Sequence, residues 1–130
     1  MKIDRIETAH LRFEYDDGFT YAGGICDARL TSLVFVHAEN GLMGYGSAYS
    51  HPAMVEIVVK QHLEPLLVGC EIDDIDKLWT LMYRETRWYG RKGAAMSALG
   101  ALDTAFWDLR GKAVGQPVWK LLGGESDKSP

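Results

Sequence analysis

Apolar and polar residues alternate from Ala9 to Tyr15. Ala9, Leu11, Phe13 and Tyr15 are apolar, and His10, Arg12 and Glu14 between them are polar. A period of two is the pattern of a half-buried strand. Asp16-Asp17-Gly18 reads as the end of that strand, and Phe19 to Ile25, with Gly23-Gly24 and the aromatics Phe19 and Tyr21, as a mobile loop. A second strand is predicted from Ala28 to Glu39, centred on Leu33-Val34-Phe35-Val36. Asn40-Gly41 predicts a two-residue type I′ turn, and Leu42 to Ala48 the returning strand. The expected order is a three-stranded antiparallel meander.

The rest of the chain carries helical spacing. Pro52 suits a first helical turn, with Ser50 or His51 as cap, and the helix is expected to run to about His62 and stop before Pro65. Asp73 is the expected cap of a second helix, in which Ile75, Leu78, Trp79 and Met82 recur on one face. Trp88 to Gly93 reads as a loop. A long helix is predicted from about Ala94 to Val114. Leu99, Leu102, Phe106, Leu109 and Ala113 form one stripe on it, and Ala94, Ala98, Ala101 and Ala105 a second stripe of small residues. Small residues let another backbone approach closely, so this helix is expected to pack on two sides. Gly115 is placed to end it and Pro117 prevents its continuation. The fold class is therefore α+β, a meander followed by a helical bundle.

Composition narrows what the chain can do. It has 130 residues, 47% of them hydrophobic and 25% charged, which is ordinary for a globular domain. The net charge of −4 and the lack of a basic stripe argue against a nucleic-acid partner. No apolar run is long enough to cross a membrane as a helix. The opening Met1-Lys2-Ile3-Asp4-Arg5 carries no apolar signal core. Cys26 and Cys70 have no metal-ligand spacing and are expected as reduced thiols of a cytoplasmic protein.

A self-sufficient active site is hard to find in these residues. His10, His37, His51 and His62 pair with no carboxylate or cysteine at metal-ligand spacing. His10 reads as a solvated strand residue, His37 as structural and His51 as part of a helix start. Gly41, Gly44 and Gly46 imitate a dinucleotide-binding glycine pattern but lie in a hairpin rather than before a helix. Glu71, Asp73, Asp74 and Asp76 lack calcium-loop spacing and read as a cap and a solvated helix start. Asp103 and Asp108 point about 140° apart around one helix, so structural pairing, Asp103 with Trp107 and Asp108 with Lys112, is expected instead. Neither a catalytic nor a metal-binding residue is assigned. Two joints of the meander, Phe19 to Ile25 and Ser47 to Ser50, stand where loops usually carry ligand contacts.

The stretch from Ala95 to Lys112, continuing from Gln116 to Gly124, closely resembles the N-terminal signature of the mandelate racemase/muconate lactonizing enzyme group of the enolase superfamily. Ala98, Asp103, Ala105, Trp107, Asp108, Gly111, Lys112, Pro117, Leu121, Leu122 and Gly123 carry the match. The resemblance implies that residues 1–124 form a capping domain that closes over a modified TIM barrel. It implies a Mg²⁺-dependent enzyme whose barrel holds the metal and the bases and removes the proton α to a carboxylate. Acid-sugar dehydration is the favoured outcome over racemisation, epimerisation or cycloisomerisation, on the look of Gly90-Arg91-Lys92-Gly93. The resemblance also implies two substrate-selecting loops, with Phe19 and Tyr21 as candidates in the first and Ser47, Ala48 and Tyr49 in the second. A small carboxylate such as an acid sugar or α-hydroxy acid is the expected substrate, and a homo-oligomer the expected assembly. The sequence ends at Pro130, where the first barrel strand is due, and no metal ligand or base is present. Residues 125–130 are therefore expected to begin the connection to the barrel, and the chain alone to be inactive. A stand-alone, non-enzymatic α+β oligomerisation or binding module is the alternative.

Overall fold

The computed structural model describes residues 1–125. The expected connecting segment 125–130 lies, but for Glu125, outside them. Three strands come first: β1 (Ile3–Tyr21), β2 (Gly24–Ala38) and β3 (Met43–Ala48), in one antiparallel sheet of order β1-β2-β3. The helices follow as α1 (Pro52–Glu56), a π-helical segment (Ile57–Leu63), α2 (Glu64–Leu67), α3 (Ile75–Glu85), α4 (Ala94–Val114) and α5 (Val118–Leu121). The α+β meander-then-helices order is as the sequence predicts.

Helices cover one face of the sheet. Ile6, Val34, Val36, Ala38 and Ala48 point into that layer and join Val55, Val59, Leu63, Leu67, Leu102, Phe106 and Leu109 in one buried core. The α4 backbone lies directly on β3: a Cβ built on Gly44 would stand 2.1 Å from the Ala105 carbonyl oxygen, and one on Gly46 2.1 Å from that of Ala101. The stripe of small residues on α4 thus meets a stripe of glycines on the strand. Ala113, assigned to the apolar stripe of α4, is exposed instead, because it lies past the edge of the sheet. Gly115 closes α4 in the left-handed conformation at φ 66°, as expected.

The structure departs from the local signals of the sequence in several places. Asp16-Asp17-Gly18 does not end β1. The pairing slips between Glu14 and Phe19, and Gly18 lies so close to β2 that a Cβ there would be 2.8 Å from the Cys26 carbonyl oxygen. The glycine marks a bulge rather than a break. Phe19 to Ile25 is therefore no loop but the end of a long hairpin, turned by Ala22-Gly23 between the paired Tyr21 and Gly24. The Asn40-Gly41 turn is not type I′. Only Arg91 among the described non-glycine residues has positive φ, while Gly41 has φ 84° and its N–H donates to the Ala38 carbonyl. That is a type I turn closed by a left-handed glycine, the usual three-residue hairpin loop.

The first helix does not stop before Pro65. It widens into the π segment and resumes with Pro65 in the first turn of α2, where its missing N–H is no loss. The cap of α3 is Asp74, whose carboxylate accepts from the Lys77 N–H at 3.0 Å, rather than Asp73. Asp73 instead accepts from Arg110.

The apolar side of the β1 alternation is half-buried only at Ala9 and Tyr15. Register places Leu11 and Phe13 on the sheet face opposite the helices, where they are 50% and 67% exposed.

Candidate functional site

Beyond the Ser32–Ala48 pair, β3 leaves the sheet, and β1 and β2 continue alone as a two-stranded ribbon. The chain leaving β3 turns through Tyr49, Ser50 and His51 into α1, beside the base of that ribbon. Tyr49, Ser50 and His51 with Ala28 and Leu30 line a shallow cavity of about 350 Å³. The Arg29 guanidinium lies 4.8 Å from the centre of the Tyr49 ring. Tyr49 is 73% exposed, so its ring is offered to solvent on one side and to a cation on the other. His51 occupies the N-cap of α1, and its side chain makes no capping bond.

The five residues singled out by sequence do not form one cluster. Tyr49 stands at the cavity. Ala48 is buried in the core beneath it, and Ser47 is exposed on the sheet face away from the helices. Phe19 and Tyr21 sit on the ribbon's end. Tyr21 lies over its own turn, with ring atoms 3.2 Å from the Cβ position of Gly23, and the Phe19 ring lies 5.9 Å from that of Tyr15. The ribbon extends six residues past Leu30, to Gly24, about 20 Å at strand rise. The candidates therefore sit on two segments that project from the same end of the sheet. Arg29 was not foreseen: only the pairing of β2 with β3, across a separation of many residues, brings it to Tyr49.

The remaining candidates have structural partners. His10 is not simply solvated: its Nδ1 lies 3.1 Å from the buried Ser32 Oγ and its Nε2 3.2 Å from Glu56 Oε2, joining β1, β2 and α1. His37 Nε2 lies 3.4 Å from Glu7 Oε2 without forming a hydrogen bond. Asp108 pairs with Lys112 at 2.7 Å, as expected, and its carboxylate also accepts from the Tyr45 N–H at 3.0 Å. Lys112 donates to the Met43 carbonyl at 2.9 Å, so the pair fastens α4 to the outer edge of β3. Arg91 donates to the Tyr83 carbonyl at 2.8 Å and lies over the Tyr83 ring, which stacks on Trp79. The Gly90-Arg91-Lys92-Gly93 segment is thereby tied to α3.

Asp103 makes no hydrogen bond to Trp107 among the described residues. Burial, and secondarily the nearby Asp76, pushes its carboxyl above the usual range. A folded-state pKa above the unfolded value means that ionised Asp103 costs stability at neutral pH. That cost disappears as the pH falls below the unfolded carboxyl value of about 3.9. Asp103→Asn is expected to raise stability at pH 7 by a few tenths of a kcal/mol, partial exposure limiting the gain. Melts repeated near pH 3 should show no difference. A gain that persists there would assign it to packing instead.

A family model described as mandelate racemase / muconate lactonizing enzyme, N-terminal domain, matches residues 20–123. An arabinonate dehydratase of Saccharolobus solfataricus is 37% identical over 95 residues, covering 72% of this chain and 26% of that protein. A D-galactarolactone cycloisomerase of Agrobacterium fabrum is 32% identical over 124 residues, covering 95% of this chain and 32% of that protein. Among solved structures, a racemase of Streptomyces coelicolor with bound magnesium superposes with a TM-score of 0.89 at 31% identity, over 95% of this chain and 36% of that one. The chain thus spans between about a quarter and a little over a third of the length of these relatives.

Proposed function

The chain belongs to the mandelate racemase/muconate lactonizing enzyme N-terminal domain family, and from that premise we propose that it is the capping, substrate-selecting domain of an enolase-superfamily enzyme. The reaction assigned to the whole protein is abstraction of the proton α to a carboxylate, followed by loss of water from an acid sugar. The observation that carries this reading is the family match together with relatives named as acid-sugar dehydratases and cycloisomerases. The geometry supports the capping role. The exposed Tyr49 turn and the aromatic ribbon end reach out from one end of a rigid sheet, suited to closing over a site supplied by another part of the protein and excluding water from it.

Mg²⁺ is the metal assigned to the whole enzyme. Among the described residues no group of three or more His, Cys, Asp or Glu is placed to hold an ion. In this reading the metal and the bases lie in a barrel outside this chain, and the chain alone is expected to be inactive. Residues 1–124 constitute the cap in this reading. A cytoplasmic location belongs to the same reading.

The test is to assay the full-length protein against a panel of acid sugars and α-hydroxy acids with and without Mg²⁺. Formation of a 2-keto acid, dependent on Mg²⁺, is the expected result. Inertness toward the whole panel would sink the reading.

Within it, Tyr49→Ala is expected to lower kcat/KM by about tenfold, roughly 1.4 kcal/mol of transition-state binding. The melting temperature should hardly move, since the side chain is exposed. An unchanged kcat/KM would remove Tyr49 from the specificity surface.

A further inference from the structure

β1 is an edge strand, and only part of its edge is protected. Glu64 accepts from the Ile6 N–H at 3.0 Å, and Lys60 donates to the Ile6 carbonyl at 2.7 Å. The outward backbone groups of β1 are therefore those of Ile6 and, at the strand period of two, of Thr8, His10, Arg12 and Glu14. The backbone groups of these four have no outward partner among the described residues. Such an edge is a template for another strand. Beside it the exposed Leu11 and Phe13 continue through Tyr15 to Phe19, with ring centres 5.8 Å apart for Phe13 and Tyr15 and 5.9 Å for Tyr15 and Phe19. An apolar stripe along an open edge calls for an occupant.

We propose that the occupant is a second copy of this chain, paired β1 to β1 antiparallel about a twofold axis through Phe13. The charge sequence favours this partner and register, in which Arg12, already 3.2 Å from Glu14 of its own chain, gains the second copy's Glu14 as well. With Phe13 on the axis, Arg12 lies opposite Glu14 of the second copy, and Glu14 opposite its Arg12. Leu11 then faces Tyr15 of the second copy, and Phe13 faces itself. All outward backbone groups of Arg12 and Glu14 meet their counterparts. Sliding the strands to the neighbouring in-phase register, with Arg12 on the axis, sets Arg12 against Arg12, and like charges directly opposite disfavour pairing. The same stripe read in both directions is self-complementary, which is what an isologous contact requires. The bulge at Tyr15–Gly18 ends the paired segment, so the ribbon end with Phe19 and Tyr21 stays free. The inference does not depend on the substrate reading.

The test is site-directed cross-linking of the full-length protein. Phe13→Cys should form an interchain disulfide, mapped by mass spectrometry to position 13 on both chains. Leu11→Cys should not, because the two copies of residue 11 are about 13 Å apart in this register. Arg12→Glu should reduce the cross-link from the Phe13→Cys background at least tenfold with an unchanged circular dichroism spectrum. Arg12→Glu combined with Glu14→Arg should restore it. Phe13→Cys that stays unlinked, that links no faster than Leu11→Cys, or that is indifferent to the charge of residue 12 would overturn the proposal. Each of those results would hand the edge to another part of the polypeptide or to solvent.

Discussion

Replacing Gly46 by alanine is expected to cost about 3 kcal/mol and to lower the melting temperature by roughly 10 °C. The added methyl would stand 2.1 Å from the Ala101 carbonyl oxygen and 3.1 Å from Thr104 Cβ. The first of these is helix backbone, which cannot rotate away. Either α4 lifts off β3 or the strand shifts, and both loosen the layer that buries Leu102 and Phe106. Gly44→Ala meets the Ala105 carbonyl and Leu109 in the same way and should behave alike. Gly100→Ala supplies the control. It lies on α4 with nothing within 4 Å of the new methyl, and alanine there should stabilise by about 0.5–1 kcal/mol. Thermal melts of the three variants decide the matter. A Gly46→Ala protein melting with the unaltered chain would mean that helix and strand do not approach as described.

Phe106→Ala is expected to cost about 3–5 kcal/mol, the range for emptying an aromatic site in a core. Phe106 is among the largest fully buried side chains, and it lies on the helix that touches β2, β3, α1, α3 and the π segment. The loss is a large share of the roughly 5–15 kcal/mol that holds a domain of this kind together. Urea titration should show the midpoint fall steeply for alanine. Phe106→Leu, which keeps most of the volume, should lose less than half as much. Equal midpoints for the two variants would place Phe106 at the rim of the core.

What was legible in the sequence was whatever one segment decides by itself. The long helix could be read from end to end because its apolar period, its left-handed Gly115 and the blocking Pro117 all lie within it. Its alanine stripe announced a close neighbour, although only the fold shows that the neighbour is β3 and that Gly44 and Gly46 make the room. What was not legible depended on a partner strand. Asp16-Asp17-Gly18 carries the composition of a break, yet across from Cys26 it makes a bulge and the strand goes on. The apolar side of β1 signalled burial, but no helix covers that face. At the site, Tyr49 could be singled out from its place at a joint before a helix. Arg29 could not, since its approach to Tyr49 follows from strand register. Phe19 and Tyr21 stand in a stretch of loop composition, and the pairing of Tyr21 with Gly24 makes them strand residues.

The widened segment Ile57–Leu63 is the shape a helix takes when one residue is added while the turns on either side are held in place. Val55 before it and Leu67 after it both reach the core, and Val58, Val59 and Leu63 reach it from within. Deleting one residue here would let the segment tighten to ordinary α-helical pitch with both flanks held, whereas the same deletion in a regular helix would swing everything after it by about 100° around the axis. Leu67 would stay in the core, and Glu64 would keep its bond to the Ile6 N–H. Spare winding in a helix of this kind stores a length change that a loop would otherwise have to absorb. An alignment gap falling between Ile57 and Leu63 should thus be read as a change of helical pitch, with both flanks still in register with the sheet.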